Sequence, residues 1–289
     1  MKKLSLTLIC LCFGAFSCTE INNVILPGDK PVIEAFLAPN QKVSMKVFTE
    51  IPYSFEDEAG VSTNIEGLKI LIGDDHGLSF TLKDMGNGLY ESEETLGEVG
   101  TSYSMIFEYN GRTISASTIL PPKPEAFEIS TATIERIERD LSGGFIGGGG
   151  FGPGQGGGGF QQEDQAELIM TWSNTEGVYY FVAAQYAEEN LDPVVQFPEN
   201  ENGFIRPQRR FNNEPVQTST STMRPQQFEY FGRYNIILYR LNPDYAALYE
   251  NNNTSTQNIS TPLSIISNGL GIFTGVNADT LTLTVGRLQ

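Results

Sequence analysis

The sequence predicts an all-β protein, mainly antiparallel, with an N-terminal β-sandwich of immunoglobulin-like or transthyretin-like type and a second β-rich part carrying one short helix. Three observations carry this prediction. Short segments of alternating or β-branched apolar residues recur along the chain, clusters of Gly, Asn, Asp and Pro separate them, and no heptad or solenoid period runs through it. With 289 residues there is enough chain for one or two hydrophobic cores.

Residues 1–17 read as an export signal rather than as part of the fold. Met1-Lys2-Lys3 is a basic start, and residues 4–16 form an apolar run too short to span a bilayer. The run ends in Ala15-Phe16-Ser17-Cys18, which resembles a bacterial lipobox, with Phe16 departing from the usual small residue. Cys10 and Cys12 follow bulky Ile9 and Leu11, so Cys18 is the expected lipid-attachment residue; a secretory signal with an incidental cysteine is the plainer alternative. Lipidation at Cys18 would anchor the chain stably, because such lipoproteins carry several acyl chains where one alone holds only marginally. Residues 18–30, with Asn22, Asn23, Pro27, Gly28 and Asp29, read as a tether.

The first domain is expected over residues 31–120. Segments 32–37, 43–48, 68–72, 78–82, 103–109 and 112–119 have strand character, and between them lie Asp74-Asp75-His76-Gly77, Gly86-Asn87-Gly88 and Asn110-Gly111. The last is an Asn-Gly pair of the kind that supplies the positive φ of a tight hairpin. Tyr90 and Tyr103, beside turns, are expected to pack at a sandwich edge with each hydroxyl on a backbone partner. Pro121, Pro122 and Pro124 then stop the last strand, so residues 121–125 read as a stiff linker.

The second domain is expected over residues 126–289. Segment 126–137 fits either a strand or an amphipathic segment, and residues 143–160 are a glycine-rich insertion with Phe145, Phe151 and Phe160. That insertion lacks the following helix a dinucleotide-binding loop requires and is expected to be poorly ordered. Segments 166–172 and 178–186 read as strands, 190–226 as long loops, and 228–241 as a strong strand. Asn242-Pro243-Asp244 starts a helix to about residue 250, with Asn242 as cap and Pro243 at the first helical position. Segments 271–273 and 280–285 read as closing strands, and Gly269 and Gly271 suit a close backbone approach or a bulge.

Composition narrows the chemistry. There are 18 Lys and Arg against 35 Asp and Glu, a net charge of −17. Removing residues 1–17 takes two lysines and no acid, so the exported part stands at −19. Such a chain does not bind nucleic acid by neutralising phosphates. All three cysteines lie at or before Cys18, which leaves no disulfide or thiolate zinc site beyond it. The single histidine, His76, sits in a turn without a nucleophile elbow anywhere in the chain and reads as an exposed turn residue. Glu56-Asp57-Glu58, Glu93-Glu94 and Glu188-Glu189 lack calcium-loop spacing and read as solvated acidic faces. No cofactor, metal or catalytic residue is expected. Arg206, Arg209 and Arg210, followed by Arg224, Arg233 and Arg240, stand out against the acidic average. Guanidinium forks recognise carboxylates and phosphates, so Arg206, Arg209 and Arg210 are candidate partner-binding residues, with pairing to the chain's own acids as the alternative.

Several stretches together resemble a family. They are the lipobox at Cys18, residues 31–37, 68–73, Gly88-Leu89-Tyr90, Gly100-Thr101-Ser102-Tyr103, Ser115-Ala116-Ser117-Thr118 before Pro121-Pro122, Trp172-Ser173-Asn174 before Tyr179-Tyr180, and residues 267–273. In order and spacing they resemble Bacteroidota lipoproteins of unknown function encoded beside TonB-dependent outer-membrane receptors, with the glycine-rich insertion as a departure. The resemblance implies a two-part β-rich lipoprotein of the outer membrane, on its surface or periplasmic face. It also implies a non-enzymatic accessory role toward a TonB-dependent receptor, and it supplies no catalytic residues. A surface module binding a glycan or other ligand is the alternative, kept open by 12 Tyr although Trp172 is the one tryptophan.

Overall fold

The computed structural model describes residues 30–51, 61–140, 166–196, 214–250 and 265–288. It is nearly all β with one short helix, and most strand pairs are antiparallel. Cys18, the tether, Glu56-Asp57-Glu58, the glycine-rich insertion and Arg206, Arg209 and Arg210 lie outside the described residues.

Eight strands build the first half: β1 (Pro31–Leu37), β2 (Lys42–Thr49), β3 (Leu71–Asp74), β4 (Ser79–Thr81), β5 (Lys83–Gly86), β6 (Leu89–Thr95), β7 (Ser102–Tyr109) and β8 (Arg112–Ile119). One sheet runs β1-β2-β6-β5 and the other β4-β3-β7-β8. Alternation places Ile33, Ala35, Leu37, Val43, Met45 and Val47 of the first against Ile72, Met105, Phe107 and Ile114 of the second, all buried. Asn110 (φ 48°) and Gly111 (φ 72°) close the β7–β8 hairpin as their sequence predicts. Strands β5 and β6 carry little apolar pattern, because only Tyr90 and Ser92 of the two are buried. Tyr90 is fully buried, its hydroxyl donating to the Ile65 carbonyl (2.9 Å) and accepting from the Leu68 N–H (3.1 Å). The Tyr103 hydroxyl accepts from the Gly97 N–H at 2.7 Å.

The second half comprises β9 (Glu125–Ile129), β10 (Thr133–Arg136), β11 (Arg139–Asp140), β12 (Leu168–Ser173), β13 (Tyr180–Tyr186), β14 (Val195–Gln196), β15 (Thr220–Met223), β16 (Gly232–Leu241), α1 (Pro243–Glu250) and β17 (Leu270–Arg287). The ambiguous stretch after the prolines is thus two short strands, β9 and β10. A three-stranded sheet, β15-β12-β9, supplies Phe127, Leu168, Met170, Trp172 and Met223 to a second core, against Tyr180, Val182, Tyr234, Ile236 and Leu238 of β13 and β16.

The two closing segments expected at the C-terminus are one strand of 18 residues, β17. Residues 270–275 pair in parallel with β1, residues 276–285 antiparallel with β16, and residues 284–287 in parallel with β10. Its odd-numbered side chains enter both cores, Phe273 the first and Leu283 and Val285 the second. Gly275, Asn277 and Asp279 interrupt the apolar pattern midway, but the backbone there is held by β16 and by the chain leaving β8.

That exit is a close crossing. A Cβ on Gly275 would strike the Ile119 carbonyl, and one on Gly271 (φ 97°) would strike the Ile33 backbone, so both positions require glycine. The buried Thr118 hydroxyl accepts from the Gly275 N–H (2.7 Å) and from the Asn242 side-chain amide (2.9 Å), which also donates to the Ile119 carbonyl (2.7 Å). Next along the linker, the Pro121 carbonyl accepts from Asn277 (3.0 Å), and Lys123 pairs with Asp279 (2.8 Å). Asn242 also opens α1 through its backbone carbonyl, which accepts from Tyr245 and Ala246. Replacing Thr118 by valine keeps the shape and removes the acceptor, leaving a buried N–H without a partner. The expected loss is about 1–3 kcal/mol, read as a lower urea midpoint, while Thr118→Ser retains most of the stability.

Candidate functional site

At the far end of β17 the second half opens a polar groove of about 690 Å³. Antiparallel pairing builds it: Tyr186 ends β13 opposite Tyr234, while Gly232 and Arg233 begin β16 opposite Val285 and Thr284. The chain after β13 returns past this corner, and backbone bonds from Ala187 to the Arg233 carbonyl (2.9 Å) and from Phe231 to the Asp192 carbonyl (2.7 Å) hold it there. Tyr186, which lines the groove, belongs to an aromatic cluster. The Tyr186 ring is 5.2 Å from both Tyr230 and Tyr234, and Phe228 meets Tyr234 edge-on at 5.0 Å. The Tyr186 hydroxyl lies 2.9 Å from the Asn190 and Phe231 carbonyls, and the Tyr230 N–H donates to the Tyr234 hydroxyl at 2.9 Å.

Two arginines edge the groove, each in a carboxylate fork. Arg233 reaches Glu188 through Nε at 2.7 Å and Nη2 at 3.4 Å. Arg287 donates through Nε to Glu138 (2.9 Å) and through Nη2 to both Asp192 oxygens (2.7 and 2.9 Å), with its guanidinium 4.2 Å above the Phe231 ring. The bond from Arg233 holds the Glu188 carboxyl below its ordinary range, and Glu188 in turn raises Arg233. Glu138 and then Asp192 raise Arg287. Burial pushes the Tyr186 phenol up and that of Tyr234 up to about 12. Ion pairs this exposed add little to stability, so their structural effect is to fix where the guanidinium faces point.

The other candidates from the sequence fall elsewhere. Arg224 pairs with Glu167 at 3.2 Å and Arg240 with Glu176, so with Arg233 the three described arginines of that run meet the chain's own acids. His76 is exposed on the β3–β4 turn beside Asp75, and Asp74 accepts the His76 and Leu78 N–H groups in a local turn. Glu93 and Glu94 are exposed. Trp172 is buried in the second core, 5.6 Å from Tyr180, with its indole N–H unbonded among the described residues, and offers no surface platform. Among the described residues no three His, Cys, Asp or Glu side chains stand together as metal ligands. Sequence reasoning missed Arg287, Glu138 and Asp192, which meet across 149 and 95 residues without a local signal. It also missed Arg136, buried on β10 and donating to the Pro225 (2.8 Å) and Phe228 (2.9 Å) carbonyls.

Fold and groove define a two-core β protein with a polar recess. The chain belongs to the family DUF4249, described as a domain of unknown function, which it matches over residues 19–282. No curated protein matches it.

The groove makes a pH prediction. Because the folded-state pKa of Glu188 is depressed below 4.5, its contribution to stability is present above that value and lost as pH falls through the folded pKa. In Arg233→Gln the Glu188 carboxyl is expected to titrate closer to 4.5 by carbon-detected NMR, with a flatter acid limb of stability.

Proposed function

We propose that the chain is a lipid-anchored, non-enzymatic protein of the outer membrane that assists a TonB-dependent transport system by offering a β-sandwich surface to a receptor. The observation that carries the anchoring is the start of the family match at residue 19, directly after Cys18. The basic, apolar and small-residue stretch before it therefore lies outside the family region, as a removable signal would. Among the described residues no helix is long and apolar enough to cross a membrane, so acyl chains on Cys18 are the element this reading uses for attachment. The non-enzymatic reading is supported by the position of the one histidine, His76, which is an exposed turn residue beside Asp75.

The receptor as partner comes from the family resemblance of the sequence motifs. Recognition of a surface glycan or similar ligand is a second reading, favoured by the groove at Arg233 and Arg287.

Two measurements test the main reading. In cell fractionation the wild-type chain is expected with the membranes and Cys18→Ala largely in the soluble fraction; a variant still fully membrane-bound refutes the lipid anchor. After crosslinking and mild detergent extraction, a large β-barrel is expected to co-purify, and repeated recovery of the chain by itself removes the accessory role.

A further inference from the structure

The groove at the end of β17 presents donors and acceptors in balanced pairs, and that balance selects a ligand class. Its volume, about 690 Å³, falls within the range of small-molecule sites. Arg233 spends Nε and Nη2 on Glu188, and Arg287 spends the same atoms on Glu138 and Asp192. Each guanidinium therefore retains its Nη1 hydrogens unbonded among the described residues, and each carboxylate retains lone pairs beyond those the arginines occupy.

A charged ligand meets no vacant counter-charge here. An anion meets guanidinium groups whose charge Glu188, Glu138 and Asp192 already neutralise, and it approaches a chain whose exported part carries −19. A cation meets two guanidinium groups in the wall, and no three carboxylates gather to receive it among the described residues. A hydroxyl group needs no counter-charge, since it accepts from an arginine Nη1 while donating to a neighbouring carboxylate. Several hydroxyls on a ring repeat that pairing, and the partly exposed Tyr186 ring adds an apolar wall against the C–H face of such a ring.

We propose that this groove binds a neutral polyhydroxylated ligand, a saccharide of about two to three rings, held between Arg233, Arg287, Glu188 and Asp192 with Tyr186 as its flat wall. The assignment rests on the second reading above and locates it. The paired charges fix the orientation of the hydrogen-bonding groups before the ligand arrives, which lowers the ordering cost of binding.

The test uses the full-length chain in detergent micelles and isothermal titration with malto-, cello-, xylo- and chito-oligosaccharides, with inorganic phosphate, citrate and tetralysine as charged probes. At least one neutral oligosaccharide is expected to bind saturably. Its Kd should change less than about threefold from low to high salt, because no net charge is neutralised. Arg233→Gln, on the exposed rim, and Glu188→Gln are each expected to weaken it about tenfold or more. Arg287→Gln is read alongside them, with circular dichroism confirming the fold. Binding that persists unchanged in all three variants overturns the groove while leaving the second reading intact. Absence of any neutral saccharide binding overturns both. Saturable, steeply salt-dependent binding of phosphate, citrate or tetralysine that is lost in the same variants, in place of saccharide, overturns the ligand class.

Discussion

The architecture depends on a crossing in which the chain leaving β8 passes over β17 at Gly275. There is room for no side chain at that point, and the Thr118 hydroxyl supplies the acceptor that the buried Gly275 N–H needs. Both halves are built around it. The residues before Gly275 complete the first sheet beside β1, and those after it form the ladder with β16 that backs the second core. A single strand thus carries packing from one core to the other, and the bonds from Asn242, Asn277 and Lys123 keep linker and strand in register. Loss of the crossing would weaken both cores together, since neither has another strand in that position.

The groove inherits its shape from the same strand. Arg287 ends β17, so its guanidinium is placed by the register with β10 rather than by a loop of its own. Stacking on Phe231 and forking to Asp192 and Glu138 then fix its plane. In a chain with so many acids, an arginine left unpaired would be drawn to whichever carboxylate was nearest. Forks on rigid strands restrict that choice and hold the remaining N–H groups in one direction.

What the sequence revealed followed the range over which each interaction acts. Asn110-Gly111 announced its hairpin because the positive φ is a property of those two residues. The hydroxyls of Tyr90 and Tyr103 were readable as bonded to backbone partners because an aromatic residue beside a turn packs its ring inward and keeps its polar tip near the turning chain. β5 and β6 escaped because most of their side chains face outward and, of the two strands, only Tyr90 and Ser92 are buried. β17 was read as two strands because Gly275, Asn277 and Asp279 resemble a turn, whereas their structural role is to meet a crossing chain. The groove was visible only in fragments. Arg233 and Glu188 each stood out in separate clusters, but Arg287, Glu138 and Asp192 converge from distant points, and only the fold brings them together.

The parallel pairing of β1 with β17 also sets a timetable. β1 begins at residue 31, but the strand that covers its second edge begins at residue 270. During vectorial synthesis at about 5–20 residues per second, that edge waits roughly 10–50 s for its partner. Its inward face is Ile33, Ala35 and Leu37, so a nascent or truncated chain presents an apolar strand with one edge unpaired throughout that interval. The first sandwich therefore cannot finish folding as an early, autonomous event, and any chain that stops short of residue 275 keeps an adhesive edge.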